Sequence, residues 1–120
     1  MQWLKEEIPN NDFLYYRIHK NWVIDGIIAP GVFRNRGKGM STDWSKYSTP
    51  VKSRQCARKP EENGVVRMNV GEVRDIPNQI VEYSPIPHNR FHTDVYGVKD
   101  EEVRIKFRRI AKWAIKIDNF

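Results

Sequence analysis

One segment near the end of this chain admits few conformations. Val103, Phe107, Ile110, Ala114 and Ile117 recur at steps of four and three, the spacing that lines one face of an α-helix. Arg104, Arg108, Arg109, Lys112 and Lys116 fall on the other side. Asp100 stands where an N-cap belongs, Glu101 and Glu102 complement the positive end of the helix dipole, and Lys112 and Lys116 complement the negative end. The pattern predicts a helix over about Asp100 to Ile117 with an apolar face to bury and a basic face in water. Such a stripe needs a sheet or other helices beneath it.

The preceding residues supply strands. FLYYRIH (Phe13 to His19) follows the turn-forming Pro9, Asn10, Asn11 and Asp12 and is rich in the bulky residues that suit a pleated surface. A turn or short helix is expected at HKNW. VIDGIIAPGVF is broken by Gly26, Pro30 and Gly31 into two short strands or a kinked hairpin. Asn63-Gly64 is a turn signal ahead of VVRMNV, GEVRDI fits one helical turn, and QIVEYS alternates as a strand does. Pro85 and Pro87 stiffen a loop, and FHTDVYGV reads as the last strand, ending at Gly97. The expectation is a single domain over residues 1–120. Its class is α+β, with a mostly antiparallel sheet of five or six strands covered on one face by the C-terminal helix.

Composition limits what the chain does. Its 120 residues carry 21 Lys+Arg against 15 Asp+Glu, a formal net charge of +6, and a chain of this length holds one modest core. No apolar run approaches the roughly 18 residues of a membrane span. The opening MQWLKEEIPNND sets acids where a signal peptide needs an apolar stretch, so a cytoplasmic location and no membrane partner are expected. The single cysteine, Cys56, has no intramolecular partner. Arg54 and Arg58 flank it and act to lower a thiol pKa, yet a nucleophilic cysteine also needs an ordered base and an oxyanion site, so a plain loop thiol is expected.

The charge is concentrated. Between Arg34 and Lys59 lie eight basic residues and one acid, Asp43, a local net charge of +7 that exceeds the surplus of the whole chain. Phe33, Trp44 and Tyr47 are interleaved with these cations, and base stacking on such rings contributes on the order of 1 to 3 kcal/mol per base. Arg34, Arg36, Lys38, Trp44 and Lys46, joined by Arg104, Arg108 and Lys112 of the C-terminal segment, are therefore the candidate nucleic-acid contacts. Gly37 and Gly39 in RNRGKGMS lack the full spacing of a phosphate-cradling loop and suit a hairpin tip. His88 and His92 are four apart, but Pro85 and Pro87 argue against the helix that would place both on one metal, and no metal or cofactor is expected. The candidate catalytic residues are Arg17 and His19, two apart on one strand face, with His92 delivered by the PIPHNR loop. The guanidinium would hold a phosphate while the two imidazoles exchange protons.

LYYRIHKNWVIDG, GMSTDWSKYSTP, ENGVVRMNVGEVR and PIPHNRFHTDVYG resemble the corresponding stretches of a group of small uncharacterised bacterial and phage proteins that open on Tyr-Arg-Arg-Ile-His-Pro-x-Trp. Lys20 stands where that group tends to have Pro, and Ala29 to Gly31 lack its serine pair. Arg17 or His19, then Gly26, then Ser41-Thr42 also follow the order seen in ADP-ribosyltransferase-like folds, with Glu72 and Glu82 the late glutamates before the helix. The first likeness covers most of the chain and names no activity. Two readings of function stand: from the basic surfaces, a small basic binding protein of a phage, mobile-element or defence cassette that contacts nucleic acid, DNA or RNA, or a larger protein complex; and, from Arg17, His19 and His92, a compact toxin-type enzyme, ADP-ribosyltransferase-like or a metal-independent nuclease.

Overall fold

The computed structural model describes residues 3–117. In chain order the elements are β1 (Phe13–His19), β2 (Val23–Ile24), β3 (Ile27–Ile28), β4 (Gly39–Trp44), α1 (Pro50–Gln55), β5 (Asn63–Asn69), α2 (Val70–Asp75), β6 (Ile80–Tyr83), β7 (His92–Tyr96), α3 (Glu101–Ile110) and β8 (Lys112–Ile115). Six strands form one sheet in the order β6-β7-β4-β1-β5-β8, and β2 and β3 form a separate two-stranded ribbon. Every registered pair is antiparallel. The class is α+β, as expected.

Alternation sorts the sheet into two unlike faces. Leu14, Tyr16 and Ile18 of β1, Met40, Thr42 and Trp44 of β4, Val66 and Met68 of β5, and Thr93 and Val95 of β7 share one face through the strand registers. Nearly all of these are buried. That face carries the core, closed over by α2, by α3 and by the segment that holds Val32 and Phe33. Phe33 and Phe107 are both fully buried, and Tyr16 stacks on Phe33. The opposite face holds Tyr15, Arg17, His19, Ser41, Asp43, His92 and Asp94 and is only partly covered, by α1 over β1 and β5.

The helices begin where the capping residues place them. Thr49 accepts from Lys52 N with Pro50 in the first turn of α1, Asn69 accepts from Glu72 N at α2, and Asp100 accepts from Val103 N at α3.

Three expectations need correcting. The helix predicted to run to Ile117 stops at Ile110. Ala111 is extended, and Lys112 to Ile115 forms an edge strand on β5. KWAI alternates with period two as well as lying on the helical stripe, and pairing with the outer edge of β5 satisfies backbone groups that a longer helix would leave open there. His92–Tyr96 is consequently not the last strand. Asn63-Gly64 is not a turn but the start of β5, where a Cβ on Gly64 would lie 2.7 Å from the Ile115 carbonyl and from the Trp113 ring. The glycine is there for the close approach of β8. Sequence pattern predicts no strand at β4, the centre of the sheet, because GMSTDW sends polar Ser41 and Asp43 to the open face and shows little apolar alternation.

Candidate functional site

The site is built from a split in the sheet. β1 and β4 are registered at only two pairs, Leu14↔Trp44 and Tyr15↔Asp43, although β1 continues to His19 and β4 begins at Gly39. Beyond Tyr15 the two strands diverge. A cleft of about 760 Å³ occupies the gap, lined by Tyr16, Arg17 and His19 from β1, Ser41 from β4, Trp22, Val32, Arg34 and Arg36 from the intervening segment, and Cys56 to Lys59 with Glu62 and Asn63 on the far wall. Five of the lining side chains are cationic, Arg17, Arg34, Arg36, Arg58 and Lys59, against the single carboxylate of Glu62.

Each wall is fixed locally. Arg17 extends from the strand to Asp43 Oδ2 at 3.4 Å and donates to the Ser53 carbonyl at 2.9 Å, which ties β1 to β4 and α1. Asp43 is almost fully buried, and burial pushes its carboxyl upward, opposed by hydrogen bonds from Ser53 and Asn89 and by the nearby Arg17 and His92. His19 accepts from Asn21 N through Nδ1, so it caps the turn that follows β1, and its Nε2 lies 3.3 Å from Glu62. Glu62 also pairs with Lys20 at 3.0 Å, and these contacts, Lys20 before His19, hold its carboxyl low. The Arg34 guanidinium lies over the Trp22 ring, 5.1 Å from its centroid. At the cleft rim Arg36 N donates to Gly39 O, closing the tight turn that carries Lys38 at its tip, with Gly37 at φ 73°.

Next to Ser41 stands a second cluster. His92 on β7 places Nε2 3.3 Å from Ser41 Oγ and Nδ1 2.9 Å from the Ser84 carbonyl oxygen. Ser84 Oγ donates to Asp94 Oδ2 at 2.7 Å. Register explains the grouping, since Ser41 pairs with Asp94 and Asp43 with His92, which makes Ser41 and His92 diagonal neighbours on one face.

The candidate residues therefore divide. Arg17, His19, Arg34 and Arg36 line the cleft, and His92 reaches it through Ser41. His19 and His92 are not a proton-exchanging pair. His92 is level with Tyr15 through Asp43, so His19 lies four residues further along and two strands across, roughly 15 Å or more at the backbone given a rise of about 3.3 Å and a strand spacing of about 4.8 Å. Trp44 is no stacking platform. It is 1% exposed, its Nε1 donates to Asp12 at 2.9 Å, and it packs edge-on against Tyr47 and Tyr83. Phe33 is likewise core. Lys46 pairs with Glu6 and lies over the Trp44 and Tyr47 rings, away from the cleft. Arg104 and Arg108 belong to the helix on the core side of the sheet and Lys112 to β8, and none of them lines the cleft. Cys56 lines it, but partial burial pushes its thiol up, and Arg54 is turned to the Pro60 and Asn63 carbonyls. His88 is exposed in the loop before β7, and among the described residues no group of three or more His, Cys, Asp or Glu gathers as a metal site.

Sequence reading missed Asp43, Ser84, Asp94, Glu62 and the aromatic shelf of Trp22. GMSTDW carries no strand pattern of its own, so the neighbours that β4 gives Ser41 and Asp43 were not legible in the sequence.

Together the fold and cleft define a small α+β protein with a cationic groove at a parted pair of strands. No protein-family model, curated protein or solved structure matches the chain. No described helix is long and apolar enough to cross a membrane.

Proposed function

We propose that this chain is a small basic nucleic-acid-binding protein that takes a single strand of DNA or RNA into the cleft between β1 and β4. The observation that carries the reading is the lining itself, five cationic side chains facing one carboxylate beside the Trp22 and Arg34 shelf. Guanidinium groups pair with phosphate oxygens two at a time, and a guanidinium lying over an indole presents its outer plane for a base to stack on. Glu62 is occupied by Lys20 and His19, so it opposes an incoming phosphate less than a free carboxylate would. A component of a phage, mobile-element or defence cassette is the setting proposed for such a protein. Anisotropy of a labelled single strand at low salt tests the reading. Binding should weaken steeply with salt and fall about tenfold or more in Arg36→Glu/Arg58→Glu. A wild-type protein that binds no strand at low salt overturns it and leaves a protein complex as the partner to seek.

A second reading, a compact toxin-type enzyme of ADP-ribosyltransferase-like or nuclease character, is favoured by one observation. Arg17 and Ser41 share the cleft, and His92 is hydrogen-bonded to Ser41.

A further inference from the structure

We propose that Ser41 is a nucleophile toward phosphodiesters and that His92 is its general base. The proposal rests on the enzyme reading of the cleft and identifies the residues that would perform its chemistry.

A serine hydroxyl attacks only when a base takes its proton and a third group holds that base in place. Both conditions are met here. Ser41 is exposed on the cleft wall, with Oγ 3.3 Å from His92 Nε2. The Ser84 carbonyl, 2.9 Å from Nδ1, can only accept, so the neutral imidazole carries its proton on Nδ1 and presents the Nε2 lone pair to Ser41. Ser84 is itself held by its hydroxyl donating to Asp94 at 2.7 Å. Other serines of this region are committed elsewhere. Ser45 Oγ accepts from Phe13 N, and Ser48 and Ser53 are buried against one another at 3.0 Å.

The cationic lining selects phosphorus over a carboxylic ester as the target. As Ser41 Oγ bonds to phosphorus, its proton passes to His92 Nε2. The bond from phosphorus to one bridging ester oxygen breaks, and protonated His92 returns the proton to that oxygen. A phosphoserine diester remains on the chain, and one strand end leaves as an alcohol. Water then adds to phosphorus with His92 taking its proton, the Ser41 oxygen leaves and is reprotonated, and a phosphate monoester is released. The sum is one diester and one water converted to one monoester and one alcohol. Charge on the phosphoryl oxygens grows in each attack, and the cationic lining that shares the cleft with Ser41 offsets it.

The test uses the full chain with bis(4-nitrophenyl) phosphate and with a short end-labelled single strand, the strand followed both for binding by anisotropy and for cleavage. Wild type should turn over both probes. Ser41→Ala and His92→Gln should each lose about 100-fold or more in rate, with strand affinity within about twofold and melting temperature unchanged. Acid quenching during turnover should leave a phosphoryl adduct on the peptide that contains Ser41. Wild-type cleavage rates in Ser41→Ala overturn the proposal, as does a wild-type protein that leaves both probes intact. In the latter case retained anisotropy shows that nucleic-acid binding stands while the chemistry falls, and its absence shows that both fall.

Discussion

Phe33 and Phe107 stack as near-parallel, offset rings, their centroids 5.8 Å apart and their planes 14° from parallel. One ring comes from the irregular segment after the β2–β3 ribbon and the other from α3, so this contact joins the C-terminal helix to the segment that supplies Arg34 and Arg36 to the cleft. Phe107→Ala should lower stability by about 3 to 5 kcal/mol, because a fully buried ring is removed and its stacking partner is left beside a cavity. Urea denaturation followed by far-UV circular dichroism measures this, and a change within the error of the midpoint would refute the packing role.

Gly64 predicts a second, local lesion. A methyl group there would press on the Ile115 carbonyl and the Trp113 ring at 2.7 Å. Gly64→Ala should therefore cost about 1 to 3 kcal/mol and loosen β8 from β5. Hydrogen exchange should show weakened protection in Lys112 to Ile115 while the amides of β4 and β7 keep theirs.

Lys99 is 6% exposed, donates to the Val95 and Gly97 carbonyls at 3.0 Å each, and lies 5.8 Å from the centre of the Phe107 ring. Burial lowers its pKa to about 8 from 10.5. Between those values the unfolded chain holds the proton that the folded chain releases, so this residue's contribution to stability rises with pH, by about 3 kcal/mol at most over the whole window. Tyr16 and Cys56, whose pKa values burial raises, change stability in the opposite sense on the alkaline side. The quantity to measure is accordingly the difference between wild type and Lys99→Met from pH 7.5 to 9.5. That difference should shift in favour of wild type as pH rises, and a constant difference would show that Lys99 titrates normally.

Charge reversal separates the two basic surfaces. Arg36→Glu/Arg58→Glu should reduce the dependence of strand binding on salt, by a logarithmic slope of about 0.7 for each phosphate that is no longer neutralised. Arg104→Glu/Arg108→Glu on α3 should leave the slope nearly unchanged, since neither residue lines the cleft. The reverse ranking would move the binding surface to the helix.

What the sequence determined by itself is local. Phe13 to His19 reads as a strand from its own side chains, VIDGIIAPGVF as short strands or a kinked hairpin broken at Gly26, and Asp100 as the cap of a helix whose first turns bury Val103 and Phe107. Such features depend on residues within a few positions of one another, so propensity and period suffice to read them. The fate of Lys112 to Ile115 was decided elsewhere: the same residues fit a helix stripe and a strand, and the free edge of β5 with the space above Gly64 selects the strand. Trp44 lies amid basic residues and looks like a stacking surface in sequence, yet Tyr47, Tyr83 and Asp12 enclose it. The candidate site is the most tertiary feature of all. Arg17, Ser41 and His92 come from β1, β4 and β7, and only the strand order, the register of Asp43 with His92 and the parting of β1 from β4 bring Arg17 and Ser41 to one cleft and His92 to Ser41. A single polar residue on a strand carries no record of its cross-strand neighbour, because pairing is chosen by the burial of the opposite face.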